Sequence, residues 1–304
     1  GKKYAELCAL AYRQVMAAHN LFEDKDGNLL YFSKENASNG CVNTVDLTYP
    51  SAPIYLIYNV ELEKAMMTSI FDYSRSGRWT KPFAAHDLGT YPIANGQVYA
   101  ADMPLEEAGN MITLMAQIAM IEGNTRYAER YWDLLQLWAD YLVDNGQDPV
   151  NQLCTDDFAG HWAHNSNLAV KAIMGVAGFG LLAQMRGDKA TADRYLAKAR
   201  EMGAQWEKDA REGDHYKLAF DRPDTWSQKY NIIWDKIWGT NVFSPKVIDR
   251  ELKYYLTKQN KYGLPLDSRK DYTKTDWIMW TAAMAKDTKT FLQFVDPVYD
   301  YIHE

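Results

Sequence analysis

Two kinds of apolar pattern alternate along the chain. In "TRYAERYWDLLQLWADYLVDN" (residues 125–145), Tyr127, Tyr131, Leu134, Leu135, Trp138, Tyr141 and Leu142 recur at helical spacing with charges between them. Such a stretch predicts an amphipathic helix with one face on a core and the other in water. Residues 189–211 repeat the pattern, with Ala192, Tyr195, Leu196, Ala199, Met202 and Trp206 on one face. By contrast, "EEAGNMITLMAQIAMIEG" (106–123) and "NLAVKAIMGVAGFGLLAQM" (167–185) are apolar almost all round and rich in small residues, as expected of helices enclosed by other helices.

Extended along the chain, the alternation predicts inner helices at 51–58, 106–121, 164–186, 226–238 and 273–285. Outer helices are predicted at 2–19, 61–75, 125–145, 189–211, 246–259 and 287–303. Ser244 before Pro245 makes an N-cap and first-turn pair, Asp102 precedes Pro104 and the Glu106-Glu107 pair, and Asp296-Pro297 predicts a break in the last helix. Inner-to-outer links are short, whereas the outer-to-inner links (20–50, 76–105, 146–163, 212–225 and 260–272) are long. All the long loops therefore fall at one end, and loops above about 12 residues are usually functional.

Paired inner and outer helices predict an all-α fold, an (α/α)6 toroid of helical hairpins with the long loops around one mouth. Six outer helices but five inner ones are found, and the missing member would precede residue 2. Residues 1–304 are thus expected to form one domain, truncated at its N-terminus and excised from a longer chain. No Pro/Gly/Ser linker and no fixed-period repeat marks a second unit.

Composition narrows the functions. A chain of 304 residues can bury about three quarters of its unfolded surface, so core size is not limiting. A net charge of -7 and a pI near 5.5 argue against nucleic acid or an anionic membrane as partner, since both need clustered Lys and Arg. No uninterrupted apolar run reaches the roughly 18 residues of a membrane span. Cys8, Cys41 and Cys154 are too few and too widely spaced for a disulfide framework or metal knuckle, and are expected to be buried thiols.

The chemistry gathers in the long loops. "NQLCTDDFAGHWAHNSNLAVKAIMG" (151–175) places Asp156, Asp157, His161 and Asn165 directly before an enclosed helix that carries Lys171. If the loops feed the inner helices, the helix N-termini point into the mouth, and these side chains line a pocket. Asp87, Glu106, Glu107 and Asp267 join Asp156 and Asp157 there, which suits hydrolysis by paired carboxylates. Glu107 and Asp157 are the leading catalytic candidates, with Asp87 third. The alternative for each is a cap or loop tie, the commoner role of such groups. His86 beside Asp87 is a candidate acid or substrate donor, and Asn110 and Asn165 are candidate hydrogen-bonding groups. Tyr91 and Trp226 are candidate platforms for a substrate. Lys171 and Arg269 can neutralise a substrate carboxylate. His161 and His164 with Asp157 make only a weak metal pattern; no metal or cofactor is expected, and a G-x-S-x-G nucleophile motif is missing.

Six stretches, "SNGCVNTVDLTYPSAP", "HDLGTYP", "EEAGNM", "NQLCTDDFAGHWAHNSNLAVKAI", "TWSQKYNIIWDKIWG" and "KQNKYGLPLDSRKDYTKTDWIMW", resemble the six-helical-hairpin domain of the glutaminase A family. The resemblance covers nearly the whole chain; one departure is Ala108, where the family is associated with Ser. It implies a toroid like that of six-hairpin glycosidases, a β-rich region preceding it in the full-length chain, and export from the cell. It further implies deamidation of L-glutamine, with Asp157 or Glu107 activating water and Lys171 or Arg269 holding the substrate carboxylate. A glycoside hydrolase and a non-catalytic carbohydrate-binding domain remain as alternatives.

Overall fold

The computed structural model describes residues 1–304 and is rich in helix. Helix α1 (Lys2–Ala17) leads into a hairpin of β1 (His19–Glu23) and β2 (Leu29–Ser33), with His19 opposite Ser33. There follow α2 (Val45–Tyr58), α3 (Val60–Arg75), α4 (Pro104–Glu122), the short α5 (Arg126–Glu129) and α6 (Trp132–Asn145). Next come α7 (Ser166–Arg186) and α8 (Lys189–Ala210), then a two-residue hairpin of β3 (Arg211–Glu212) and β4 (His215–Tyr216). A 3-10 turn (Tyr230–Ile232) opens α9 (Ile233–Trp238), and α10 (Pro245–Leu256), α11 (Thr275–Ala283) and α12 (Thr288–Ile302) complete the chain.

Burial follows the two sequence patterns. Every residue from Leu105 to Ala116 in α4 and from Ser166 to Gly180 in α7 is buried, while α3, α6, α8, α10 and α12 each bury one face. A single cluster of 64 buried residues spans all of these helices, so one core organises the chain. By length and composition α7 could cross a bilayer, but it lies inside this core.

Helices α4 and α7 approach so closely that only glycine fits at their crossing. A Cβ on Gly109 would lie 2.7 Å from Lys171 Cγ and 3.2 Å from the Lys171 carbonyl oxygen, and one on Gly175 would lie 3.2 Å from Gly109 Cα. The contact sets Lys171 down beside the first turn of α4. The start of α7 is fixed by Asn165, whose side-chain oxygen accepts the N–H groups of Asn167 (2.9 Å) and Leu168 (3.0 Å), satisfying two otherwise unpaired donors. Ser244 caps α10 in the same way through the Lys246 N–H.

Several elements differ from the sequence expectation. Helix α2 starts at Val45 and carries Pro50 and Pro53 inside it, and α12 runs unbroken through Pro297; in α12 the buried face of Phe294, Val295 and Val298 holds the helix across the missing hydrogen bond. The inner helix expected over 226–238 is only the 3-10 turn and the six residues of α9. Residues 20–33, expected as loop, form with His19 the β1-β2 hairpin, where the Asp24 carboxylate accepts the N–H groups of Asp26 and Asn28 around a turn at Gly27. Asp102 does not cap α4: it binds Lys81 and Gln97 instead. Cys41 and Cys154 are buried thiols, but Cys8 is exposed.

Candidate active site

The N-terminal turns of α2, α4 and α7 and the 3-10 turn before α9 meet in one polar network. Residues three and four apart on a helix share a face, so Glu106, Glu107 and Asn110 of α4 project together, as do Asn167 and Lys171 of α7. The Lys171 ammonium lies 2.8 Å from Glu106 Oε1 and donates to Asn110 Oδ1 at 2.6 Å. It also sits 3.7 Å from the centre of the Tyr49 ring of α2. Asn110 Nδ2 donates to Glu107 Oε2 at 3.1 Å, and the Thr155 hydroxyl donates to Glu106.

Asp156 links the loop to this network. Its Oδ2 accepts from Asn167 Nδ2 and its Oδ1 from the Tyr230 hydroxyl, both at 2.8 Å. Asn231 Nδ2 donates to Asn167 Oδ1 at 3.2 Å, the Tyr49 hydroxyl donates to Asn231 Oδ1 at 2.9 Å, and Trp234 Nε1 donates to the Tyr49 hydroxyl at 2.7 Å. Each of these bonds joins a different pair of elements, so the network fixes the helix ends relative to one another.

Against Glu107 stands a second group. His86 Nδ1 lies 2.9 Å from Asp87 Oδ2, and its Nε2 lies 3.7 Å from Asp46 Oδ1. The His86 ring stacks on Tyr99 with centres 4.2 Å apart. Ligand atoms of Asp46, His86 and Glu107 all lie within 4.8 Å of one another. Asp46 Oδ1 and Glu107 Oε1 are buried and have no hydrogen-bond partner.

Burial and like charge shape the titration of these groups. Burial, with the charges of Asp46 and Glu106, holds the Glu107 carboxyl well above its ordinary range. Burial raises Asp46 to about 6 although the His86 charge opposes it. Asp156 is likewise raised to about 6 by burial, against the hydrogen bonds from Asn167 and Tyr230. Burial also raises Asp157 against the charge of His161. Burial disfavours the charged imidazole of His86, but the Asp87 hydrogen bond and the Asp46 charge outweigh it and raise its pKa. For Asp87 the burial penalty is exceeded by hydrogen bonds from His86 and from the Val98 and Gly89 N–H groups, and its pKa falls.

Of the residues expected at the site, Glu107, Asn110, Lys171, Asp156 and His86 are brought together, with Asp157 half-buried in the adjoining loop turn. Asp87 is fully buried and spends its oxygens on His86 and the N–H groups of Gly89, Val98 and Tyr99, so it orients His86. Asn165 serves as the cap of α7. Arg269 pairs with Asp267 at 2.7 Å and donates to the main-chain carbonyls of Asp156, at 2.9 Å, and of Gly160. It therefore ties the loop down and has little left for a substrate. Trp226, Asp267 and Arg269 line a separate surface groove of about 380 Å³. Tyr91 is exposed beside Lys34. His161 is exposed on Asn151, and His164 pairs with Asp148 at 2.7 Å, so the two histidines do not converge on Asp157.

The whole chain, residues 1–304, matches the glutaminase A six helical-hairpin domain. The chain belongs to that family. It is 35% identical over 295 residues to "Glutaminase A" of Aspergillus oryzae (strain ATCC 42149 / RIB 40), a match covering 95% of this chain and 43% of the relative. It is 28% identical over 375 residues to "Probable glutaminase/05536" of Arthroderma benhamiae (strain ATCC MYA-4681 / CBS 112371), covering 93% of this chain and 43% of that protein. The chain thus spans less than half the length of these fungal relatives.

The cluster includes groups that sequence reasoning passed over. Asp46 lies in the first turn of α2, and it was hidden because the expected start of that helix lay just after Pro50; an acidic residue two positions past Thr44 was the available signal. Glu106, expected among the pocket carboxylates, is the buried ion-pair partner of Lys171. Tyr49, Tyr99, Tyr230 and Asn231 come from elements far apart in sequence, and no local pattern joins them.

Proposed function

We propose that the chain is the catalytic part of a hydrolase, with its helical hairpins arranged as an (α/α)6 toroid and its site at the cluster of inner helix N-termini. The reaction is hydrolysis of the side-chain amide of L-glutamine to L-glutamate and ammonia. The carrying observation is that Glu107 keeps a buried, unpartnered oxygen beside Asp46 and His86, an acceptor aligned by the Lys171–Asn110 network. Support for the substrate comes from the two relatives named as glutaminases.

In this reading Glu107 in its ionised form, a stronger base than an ordinary carboxylate because its pKa is raised, takes a proton from water as the water oxygen bonds to the amide carbon. The same proton passes to the leaving nitrogen as the C–N bond breaks, releasing ammonia. Lys171 positions Glu106 and Asn110, and the dipole ends of α2, α4 and α7 favour the substrate's carboxylate. Asp157, at the edge of the cluster, faces the entering substrate. Export from the cell is part of the proposal, by family resemblance. Ammonia release from L-glutamine, measured beside L-asparagine and a panel of chromogenic glycosides, tests it: turnover of glutamine alone is expected, and turnover of a glycoside alone would overturn it.

One observation favours glycoside hydrolysis as the second reading. The Asp46 and Glu107 oxygens lie within 4.8 Å of each other, near the roughly 5–5.5 Å separation of a retaining carboxylate pair.

A further inference from the structure

Asp46 and Glu107 present a problem that their hydrogen bonds do not solve. Glu107 is fully buried, and its Oε1, like Asp46 Oδ1, has no donor. The Lys171 ammonium, whose charge acts on Glu107, is committed to Glu106 and Asn110, and Lys274 acts on Asp46 through its charge without a hydrogen bond. Leaving a buried carboxylate oxygen without a partner costs its desolvation, and here two such oxygens face the same space.

The third group facing that space is an imidazole held in a particular orientation. Asp87 accepts the Nδ1 proton of His86 and is itself fixed by the N–H groups of Gly89, Val98 and Tyr99. Nε2 is therefore left facing Asp46, at 3.7 Å and beyond hydrogen-bonding range. A carboxylate that locks one ring nitrogen so that the other can ligate is the usual second shell of a metal-bound histidine.

We propose that Asp46, His86 and Glu107 bind one divalent cation of the Zn2+ or Mn2+ class, through His86 Nε2 and one oxygen of each carboxylate. The ligand atoms lie within 4.8 Å of one another, and side-chain adjustments of less than about 1 Å bring them to the roughly 2.0–2.2 Å of such bonds. One nitrogen with two oxygens favours these ions over Ca2+ or Mg2+, which prefer oxygen alone. The neighbouring set of Cys41, His86 and Asp87 is equally compact, but the oxygens of Asp87 are already occupied. As a participant in catalysis the cation rests on the hydrolase reading, where, bound to the free Glu107 oxygen, it would take over from Glu107 the activation of water; as a bound ion it does not.

The test is metal binding to the purified protein after EDTA treatment and removal of the chelator. Zn2+ or Mn2+ should raise the thermal midpoint, reversibly with EDTA, with one equivalent retained per chain by elemental analysis. Asp46→Asn and Glu107→Gln are near-isosteric and should keep the wild-type circular dichroism while weakening binding at least about tenfold. His164→Asn, which removes the exposed His164–Asp148 pair, should leave it unchanged. No midpoint shift and no stoichiometric metal, or full binding retained in both carboxylate variants, would overturn the proposal; the first is what a protonated His86 paired with Asp46 predicts, and the second is what adventitious surface binding predicts. Glutamine turnover measured on the same samples separates the two ideas, because a metal-loaded protein that cannot turn over glutamine contradicts the glutaminase reading alone.

Discussion

Lys171 on α7 and Glu106 on α4 form an ion pair at 2.8 Å with side-chain exposures of 1% and 2%. Buried pairs of this kind lose most when a single partner is removed, because the other charge is left without compensation. Lys171→Met should therefore cost about 3–5 kcal/mol. The double variant Lys171→Met with Glu106→Gln should recover part of that loss. Urea denaturation of the two single variants and the double variant measures the coupling, and strictly additive losses would contradict the pairing.

The pair depends on the α4–α7 crossing. Because a Cβ at Gly109 would press on the Lys171 backbone and Cγ, Gly109→Ala should lower stability by about 1–3 kcal/mol and reduce turnover by displacing Lys171. An alanine variant as stable as wild type would show that the helices have room to separate.

Glu63 on α3 predicts a pH dependence independent of the site. It is fully buried, neither of its oxygens has a partner, and burial raises its pKa well above the ordinary glutamate value of 4.5. A raised carboxyl favours the folded state while it is protonated. That contribution is complete below pH 4.5 and is lost as pH rises toward the folded-state value. Glu63→Gln should thus flatten the decline of the thermal midpoint on going from about pH 5 to about pH 8, with the variant the more stable at the upper end. Parallel curves for the two proteins would contradict the assignment.

Arg269 holds the loop that presents Asp156 and Asp157, through Asp267 and the carbonyls of Asp156 and Gly160. Lysine cannot reproduce that fork of donors. Arg269→Lys should speed hydrogen exchange at the amides of Asp157 and Gly160, which bond within the loop, by about tenfold. Exchange at Asn167 and Leu168, capped by Asn165, should change much less.

The helices were legible because enclosed and one-faced patterns differ at the level of local sequence: the all-round apolar run of α7 and the striped α8 lie where their patterns put them. Pro50 and Pro297 misled because proline's local cost was outweighed by burial on the flanking turns, a balance set by tertiary packing. Glu107, Asn110, Lys171 and Asp156 could be found from their positions ahead of enclosed helices. Asp46 could not, once the start of α2 was placed after Pro50. The separation of Arg269 and Trp226 from the cluster was also invisible, since it depends on how the 260–272 loop folds back onto Asp156.

The most direct test of the account is the rate of ammonia release from L-glutamine by the wild-type protein and by Glu107→Gln, compared at matched circular dichroism. The account predicts turnover by the wild type and a fall of at least about 100-fold in kcat for the variant. A Glu107→Gln protein that releases ammonia at the wild-type rate would contradict it.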